Sequence, residues 1–226
     1  LKFKETNMSF IYDSFSTTFS RTMTVLAMLN AICALGVWTT YGSAAIIGTA
    51  GIVMLVVMLF ATLFLTNMLA AENNMWCIPT SGVFAYLEGL LLGPSFASYA
   101  DRLGTGTVMT SYLATVFVLA AMGFIACLVS FDYRKVSNWL LIALLGLILV
   151  SCVNLFVAFS AGANLLFSIV GMVVFAAFFL VDMMMVRDTQ VSGWGQATTL
   201  AINLFLDMVN FMIYLLKFLG VSSFDD

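Results

Sequence analysis

Residues 161–186, AGANLLFSIVGMVVFAAFFLVDMMMV, carry one charged side chain, Asp182, in an otherwise apolar run. As a helix rising about 1.5 Å per residue, this run is longer than the about 30 Å hydrocarbon core of a bilayer. The run therefore reads as a membrane span with an acid inside it. A polar stretch from Arg187 to Gly195 follows, and then a second long apolar run at 196–219, again with an internal acid, Asp207. The two runs predict an antiparallel helical hairpin whose turn centres near Gly193-Trp194. Asp182 lies roughly 17 Å and Asp207 roughly 20 Å from that turn by the same rise, so the two acids sit at matching depth and can face each other.

Upstream, the pattern repeats. Apolar stretches at 19–41, 43–66, 78–100, 106–130 and 136–160 are each long enough to cross. Short connections separate them at Tyr41-Gly42-Ser43, Asn67 to Cys77, Asp101 to Thr105 and Phe131 to Lys135, with a tight turn near Ser160-Ala161-Gly162. The expectation is an all-α membrane protein of seven transmembrane helices. It divides into an N-terminal cytoplasmic segment at 1–18, a single membrane domain at 19–219 and a short tail at 220–226. Composition agrees: 63% of the 226 residues are hydrophobic and 8% charged, against about 45–50% and about 25% in soluble domains. Lipid must solvate most of this surface.

With the N-terminus inside, inner segments hold Lys2, Lys4, Arg21, Arg134, Lys135 and Arg187, and outer ones only Arg102 and Lys217. The excess of inner positive charge predicts a cytoplasmic N-terminus. The net charge of -3, with no basic tract, gives no reason to expect nucleic-acid binding. The absence of histidine excludes His-based zinc sites and Ser-His catalysis. Of the four cysteines, Cys127 and Cys152 lie in apolar runs and read as small hydrophobes.

Three acids stand inside spans without nearby bases: Glu88, Asp182 and Asp207. A carboxylate near the bilayer centre costs about 2.5–3.5 kcal/mol even on insertion scales. Protonation, a shared proton or a bound cation must offset that cost. Two carboxyls in contact cannot both ionise cheaply, which makes such a pair a natural proton sensor. Glu88, about 15 Å into its own span, can share their layer. Thr199, Asn203, Asp207, Asn210 and Tyr214 recur at spacings of three and four, so one face of the last helix is polar. That stripe reads as pathway lining or interhelical hydrogen bonding, and the two are compatible. Gly89, Gly93 and Ala97 form a ridge that permits close helix contact, and Pro94 within it should kink the helix or free a carbonyl. Met183-Met184-Met185 reads as packing, and Trp76 and Trp194 read as interface anchors.

The segment Glu88-Gly89-Leu90-Leu91-Leu92-Gly93-Pro94, and the ending from Asn203-Leu204-Phe205-Leu206-Asp207 through Asn210 to Tyr214-Leu215-Leu216-Lys217, resemble the Bax inhibitor family of transmembrane Bax inhibitor motif proteins. Family members usually end span six with Asp-Thr-Gln, about two dozen residues before the aspartate of span seven. Asp188-Thr189-Gln190 matches literally but lies 19 residues before Asp207, at the membrane mouth; Asp182 lies 25 before it and matches in depth. Asp182 is taken as the family aspartate, with Met183-Met184 departing from Thr-Gln.

The resemblance implies a last helix central among six others, and a pH-sensitive calcium leak in which the aspartate pair opens and closes the path. Asp182 and Asp207 are then the proton-sensing and Ca²⁺-contacting groups, supported by Glu88, Asn203, Asn210, Asp188 and Arg187. The basic residue that some relatives carry in span two is missing here, and Arg187 is its nearest substitute. No cofactor is expected, and the partners are the lipid bilayer, Ca²⁺ and protons. The compactness of the chain points to a bacterial inner membrane. A different class is a non-transporting regulator that binds a membrane protease or another membrane complex. An aspartyl protease is disfavoured because Leu204-Phe205-Leu206 precedes Asp207 where those enzymes place Gly-x-Gly, and retinal binding fails because Lys217 is at the end of its span. The expected protein is not an enzyme.

Overall fold

The computed structural model describes residues 2–41, 49–157, 159–189 and 193–222. They form seven helices: α1 (Lys2–Thr40), α2 (Thr49–Ala71), α3 (Cys77–Leu103), α4 (Thr105–Leu128), α5 (Tyr133–Phe156), α6 (Ala161–Asp188) and α7 (Trp194–Ser222). Six are long and apolar enough to cross a membrane; α3 is long enough but too polar by the same measure. The reason is local, since α3 carries Glu88, Asp101 and Arg102 as well as serines and tyrosines.

Several boundaries differ from the sequence expectation. The part of the expected second span at 43–48 lies outside the described residues. The helix there runs on to Ala71 because Asn67, read as the start of a loop, donates its amide to the carbonyl of Leu63 (3.0 Å). A polar side chain that turns back on its own helix does not end it. At the other end of the chain's first span, α1 takes in most of the segment expected to precede it. The turn between α5 and α6 sits at 157–160, before Ala161. Ser160 there accepts a hydrogen bond from the Ala163 amide (3.3 Å), which is how a serine starts a helix. Helix α3 continues through Pro94.

The chain divides into two compact units. The first comprises residues 1–98 with 186–205, that is α1, α2, most of α3, the end of α6 and the first part of α7. Its close contacts are backbone to backbone: a methyl added at Gly36 would collide with the Tyr86 carbonyl, and one at Gly89 would lie 2.9 Å from the Gly36 Cα. The small-residue ridge of α3 thus seats on α1, with Gly93 against Thr40, as close helix packing in membranes requires. Phe84 and Phe205, both fully buried, meet edge to face with ring centres 6.3 Å apart. The Arg21 guanidinium lies 5.1 Å from the Trp194 ring centre, so this tryptophan has a cationic neighbour on its face.

The second unit comprises residues 99–185 with 206–226. Its core gathers Leu147, Val174, Phe175, Phe211 and Tyr214. Helix α4 buries Ser111, Thr115, Leu119, Gly123 and Ala126, one stripe at helical spacing. Where α3 hands over to α4, a single residue, Gly104, turns the chain with φ 85°, a conformation costly for any residue with a Cβ. Met183 fills the space beside Gly123, where a Cβ would stand 3.3 Å from its methyl carbon, and Met184 is fully buried. The methionine run is packing.

Candidate functional site

Asp182 on α6 and Asp207 on α7 both lie in the second unit, buried to 8% and 6% exposure. Their carboxyl groups are in side-chain hydrogen-bonding contact with each other. A hydrogen bond between two carboxyls needs one of them to carry the proton, so the geometry suits a pair that shares it. Apart from a proton shared with Asp182, the buried Asp207 Oδ2 has no hydrogen-bond partner among the described residues. An orphaned carboxyl oxygen at this depth is costly and open to a water, a proton or a cation.

Val181, Met184 and Leu204 close around the two positions in sequence and are almost fully buried, so both helices present their aspartates from packed faces. One turn beyond Asp207, the Asn210 amide donates to the Leu206 carbonyl of its own helix (2.8 Å). It is spent locally. Farther along, the Tyr214 hydroxyl lies near Ser151 of α5, and its ring stacks on Phe175 with centres 5.7 Å apart. On the first-unit half of the stripe, the Thr199 hydroxyl bonds the Gly195 carbonyl (3.3 Å), and Asn203 is half-buried. Two of the five groups, Thr199 and Asn210, turn to their own backbone, while Asp207 meets Asp182 of α6 and Tyr214 packs on Phe175 of the same helix.

Of the other expected residues, Glu88 is half-buried in the first unit and close enough to Cys33 of α1 for the two to interact electrostatically. Cys33 is a free, buried thiol within the apolar run of α1. Cys127 and Cys152 are free and exposed on their helices. Asp188 is exposed, and its two carboxylate oxygens receive Arg187 Nε (2.8 Å) and Nη2 (3.3 Å). The literal Asp-Thr-Gln match thus begins with a residue tied to its sequence neighbour, whereas Asp182 meets the aspartate of α7. Among the described residues, no group of three His, Cys, Asp or Glu could hold a metal ion. Two carboxyls supply at most four of the six to eight oxygens calcium takes.

The Bax1-I family model, described as inhibitor of apoptosis-promoting Bax1, matches residues 15–224. Similar curated proteins come from bacteria. A Borreliella burgdorferi protein is 29% identical over 146 residues, which cover 61% of this chain and 60% of the relative. A Streptococcus pyogenes serotype M3 protein, described as an uncharacterized membrane protein, is 26% identical over 162 residues, covering 70% and 69%. A Lactococcus lactis protein is 31% identical over 198 residues, covering 75% and 84%. The match to the Borreliella relative spans about three fifths of that protein's length. Together with the six long apolar helices, these matches make the chain a multi-pass integral membrane protein.

Proposed function

The chain belongs to the Bax1-I family, and from that premise we propose that it is a pH-sensitive cation leak gated by Asp182 and Asp207, with Ca²⁺ as the permeant ion. The observation that carries this reading is the buried contact between the two carboxyls, with Asp207 Oδ2 given no further partner among the described residues. When the pair shares a proton, the carboxyls hold α6 to α7 and the path is closed. When the proton leaves, two negative charges repel each other and offer hard oxygen ligands to a divalent cation. No covalent chemistry is involved, and the protein is not an enzyme.

The same reading has α3 cross the membrane as a seventh span, its polar groups facing other helices. Its 27 residues reach about 40 Å at helical rise. Helix α7, which contributes to both compact units, is the central element, and the N-terminus is cytoplasmic in a bacterial inner membrane.

Calcium flux in proteoliposomes, measured across pH for wild type and for Asp182→Asn and Asp207→Asn, tests the proposal. Flux that depends on pH in the wild type and loses that dependence in either variant supports it. A purified protein that passes no calcium at any pH would sink it. A stoichiometric membrane partner recovered alongside would turn the reading to a non-transporting regulator of a membrane protease or other complex.

A further inference from the structure

The second unit contains a cavity of about 390 Å³, at the ends of α3, α5 and α7 and the start of α6. That volume lies within the about 300–1,000 Å³ range of small-molecule sites. Among the described residues, two cations line it, Arg102 and Lys217, and no carboxylate does. Neither cation has an ion-pair partner among the described residues.

The polar groups of the wall do not balance this charge, because they are engaged with one another. Asn154 donates its amide to Asn164 Oδ1 (3.2 Å) and accepts the Phe159 backbone N–H (3.2 Å), while Asn164 donates to the Phe159 carbonyl (3.2 Å). The Ser168 hydroxyl donates to the Asn164 carbonyl (2.8 Å). These bonds brace the turn between α5 and α6 and give the cavity a fixed side.

One of the two cations is held by an aromatic face. Lys217 Nζ stands 4.9 Å from the centre of the Tyr214 ring, which is itself packed against Phe175 and Phe167. Arg102 is exposed in the last turn of α3, and Tyr99, one turn before it, packs where a Cβ on Gly220 of α7 would come within 3.2 Å. Two like charges facing one small cavity repel, more strongly there than in bulk water. A ring face attracts an ammonium without neutralising it. An oxyanion with several oxygens would satisfy the planar fork of the arginine and the point charge of the lysine together.

From this geometry we infer that the cavity bounded by Arg102 and Lys217 is a binding site for a phosphate-type oxyanion, supplied either as free phosphate or as the headgroup of an anionic phospholipid. The site stands whether or not the aspartate pair gates a cation.

The test uses the purified full chain and its thermal unfolding. One arm titrates inorganic phosphate against sodium chloride at matched ionic strength. The other compares nanodiscs of phosphatidylcholine with nanodiscs of phosphatidylcholine and phosphatidylglycerol in equal parts. Stabilisation by phosphate alone assigns the site to the free ion, and stabilisation by phosphatidylglycerol alone assigns it to the headgroup; both support the proposal. Arg102→Gln and Lys217→Gln should each weaken the response about tenfold, as loss of a charge-assisted hydrogen bond does, and Lys217→Arg should retain it. If Lys217→Gln does not fold, Arg102→Gln, whose side chain is exposed, carries the comparison. No stabilisation in either arm, or an undiminished response in Arg102→Gln, overturns the inference.

Discussion

The carboxyls of Asp182 and Asp207, 25 residues apart in sequence, touch inside the second compact unit, and beyond that contact the buried Oδ2 of Asp207 has no hydrogen-bond partner among the described residues. The contact joins α6 to α7 through groups that lipid disfavours, so it persists only while a proton or another cation compensates the charge. In the leak reading, raising the pH removes that proton, places net negative charge on the pair and increases cation flux.

Asp207→Asn should abolish most of this response. An amide donates a hydrogen bond to Asp182 at every pH, so the contact no longer depends on a proton. Wild-type flux into dye-loaded proteoliposomes should rise by up to about tenfold per pH unit in the range where one group titrates. The variant should change by less than about twofold over the same range, and an unaltered profile would remove Asp207 from the gate.

Gly89→Ala should destabilise the first unit by about 1–3 kcal/mol, the usual cost of overpacking. Its methyl would meet the Cys33 carbonyl and the Gly36 backbone, neither of which can rotate away. Gly146→Ala on α5 meets nothing within 4 Å and should be neutral or stabilising by up to about 1 kcal/mol, as a helix gains from alanine. Thermal unfolding of the two variants in one detergent compares them directly.

Asn73 closes the link between α2 and α3 with φ 52° and accepts the Gly195 N–H on its side chain (3.0 Å). Asn73→Ala should lose both the tolerance for that backbone and the bond, costing about 1–3 kcal/mol. Asn73→Gly keeps the backbone and loses only the bond. Amide exchange at Gly195 should quicken in both, while global stability should fall more in the alanine variant.

Tyr214→Phe removes the hydroxyl near Ser151 but keeps the ring against Phe167, Phe175 and the Lys217 ammonium. The expected loss is about 0.5–1.5 kcal/mol. Tyr214→Ala removes the ring and should cost about 3–5 kcal/mol, as large-to-small core changes do. Denaturation in detergent that ranks the two alike would mean that the ring contributes no more than the hydroxyl.

If α3 crosses the bilayer, seven spans place the two termini on opposite sides; if it does not, six place them on the same side. Epitope tags at each end, scored for protease access in sealed inverted vesicles, should show only the N-terminal tag cleaved. Cleavage of both tags would exclude the seventh crossing.

Helical class and most element positions were legible in the sequence because long apolar runs in this chain admit only one economical solution. A backbone in lipid must bond to itself, and helices do so within one segment. The depth of Asp182 and Asp207 was also legible, since helical rise converts residue number into distance. Asn67 marks where this reading stopped: a polar residue looks like a loop until its amide is seen bonded to its own helix. Glu88 and Cys33 show the same limit, because rise along one helix says nothing about which neighbour it faces.

The sequence by itself determined that the chain is helical, that lipid solvates it and that three of its acids, Glu88, Asp182 and Asp207, lie deep in apolar runs. Only the tertiary structure decided that Asp182 contacts Asp207, that Asp188 pairs with Arg187, and that Arg102 and Lys217 face one cavity. The physical reason is that composition and periodicity fix each helix along its axis. Rotation about that axis, which chooses the partner of every polar side chain, is set by packing between residues far apart in the chain.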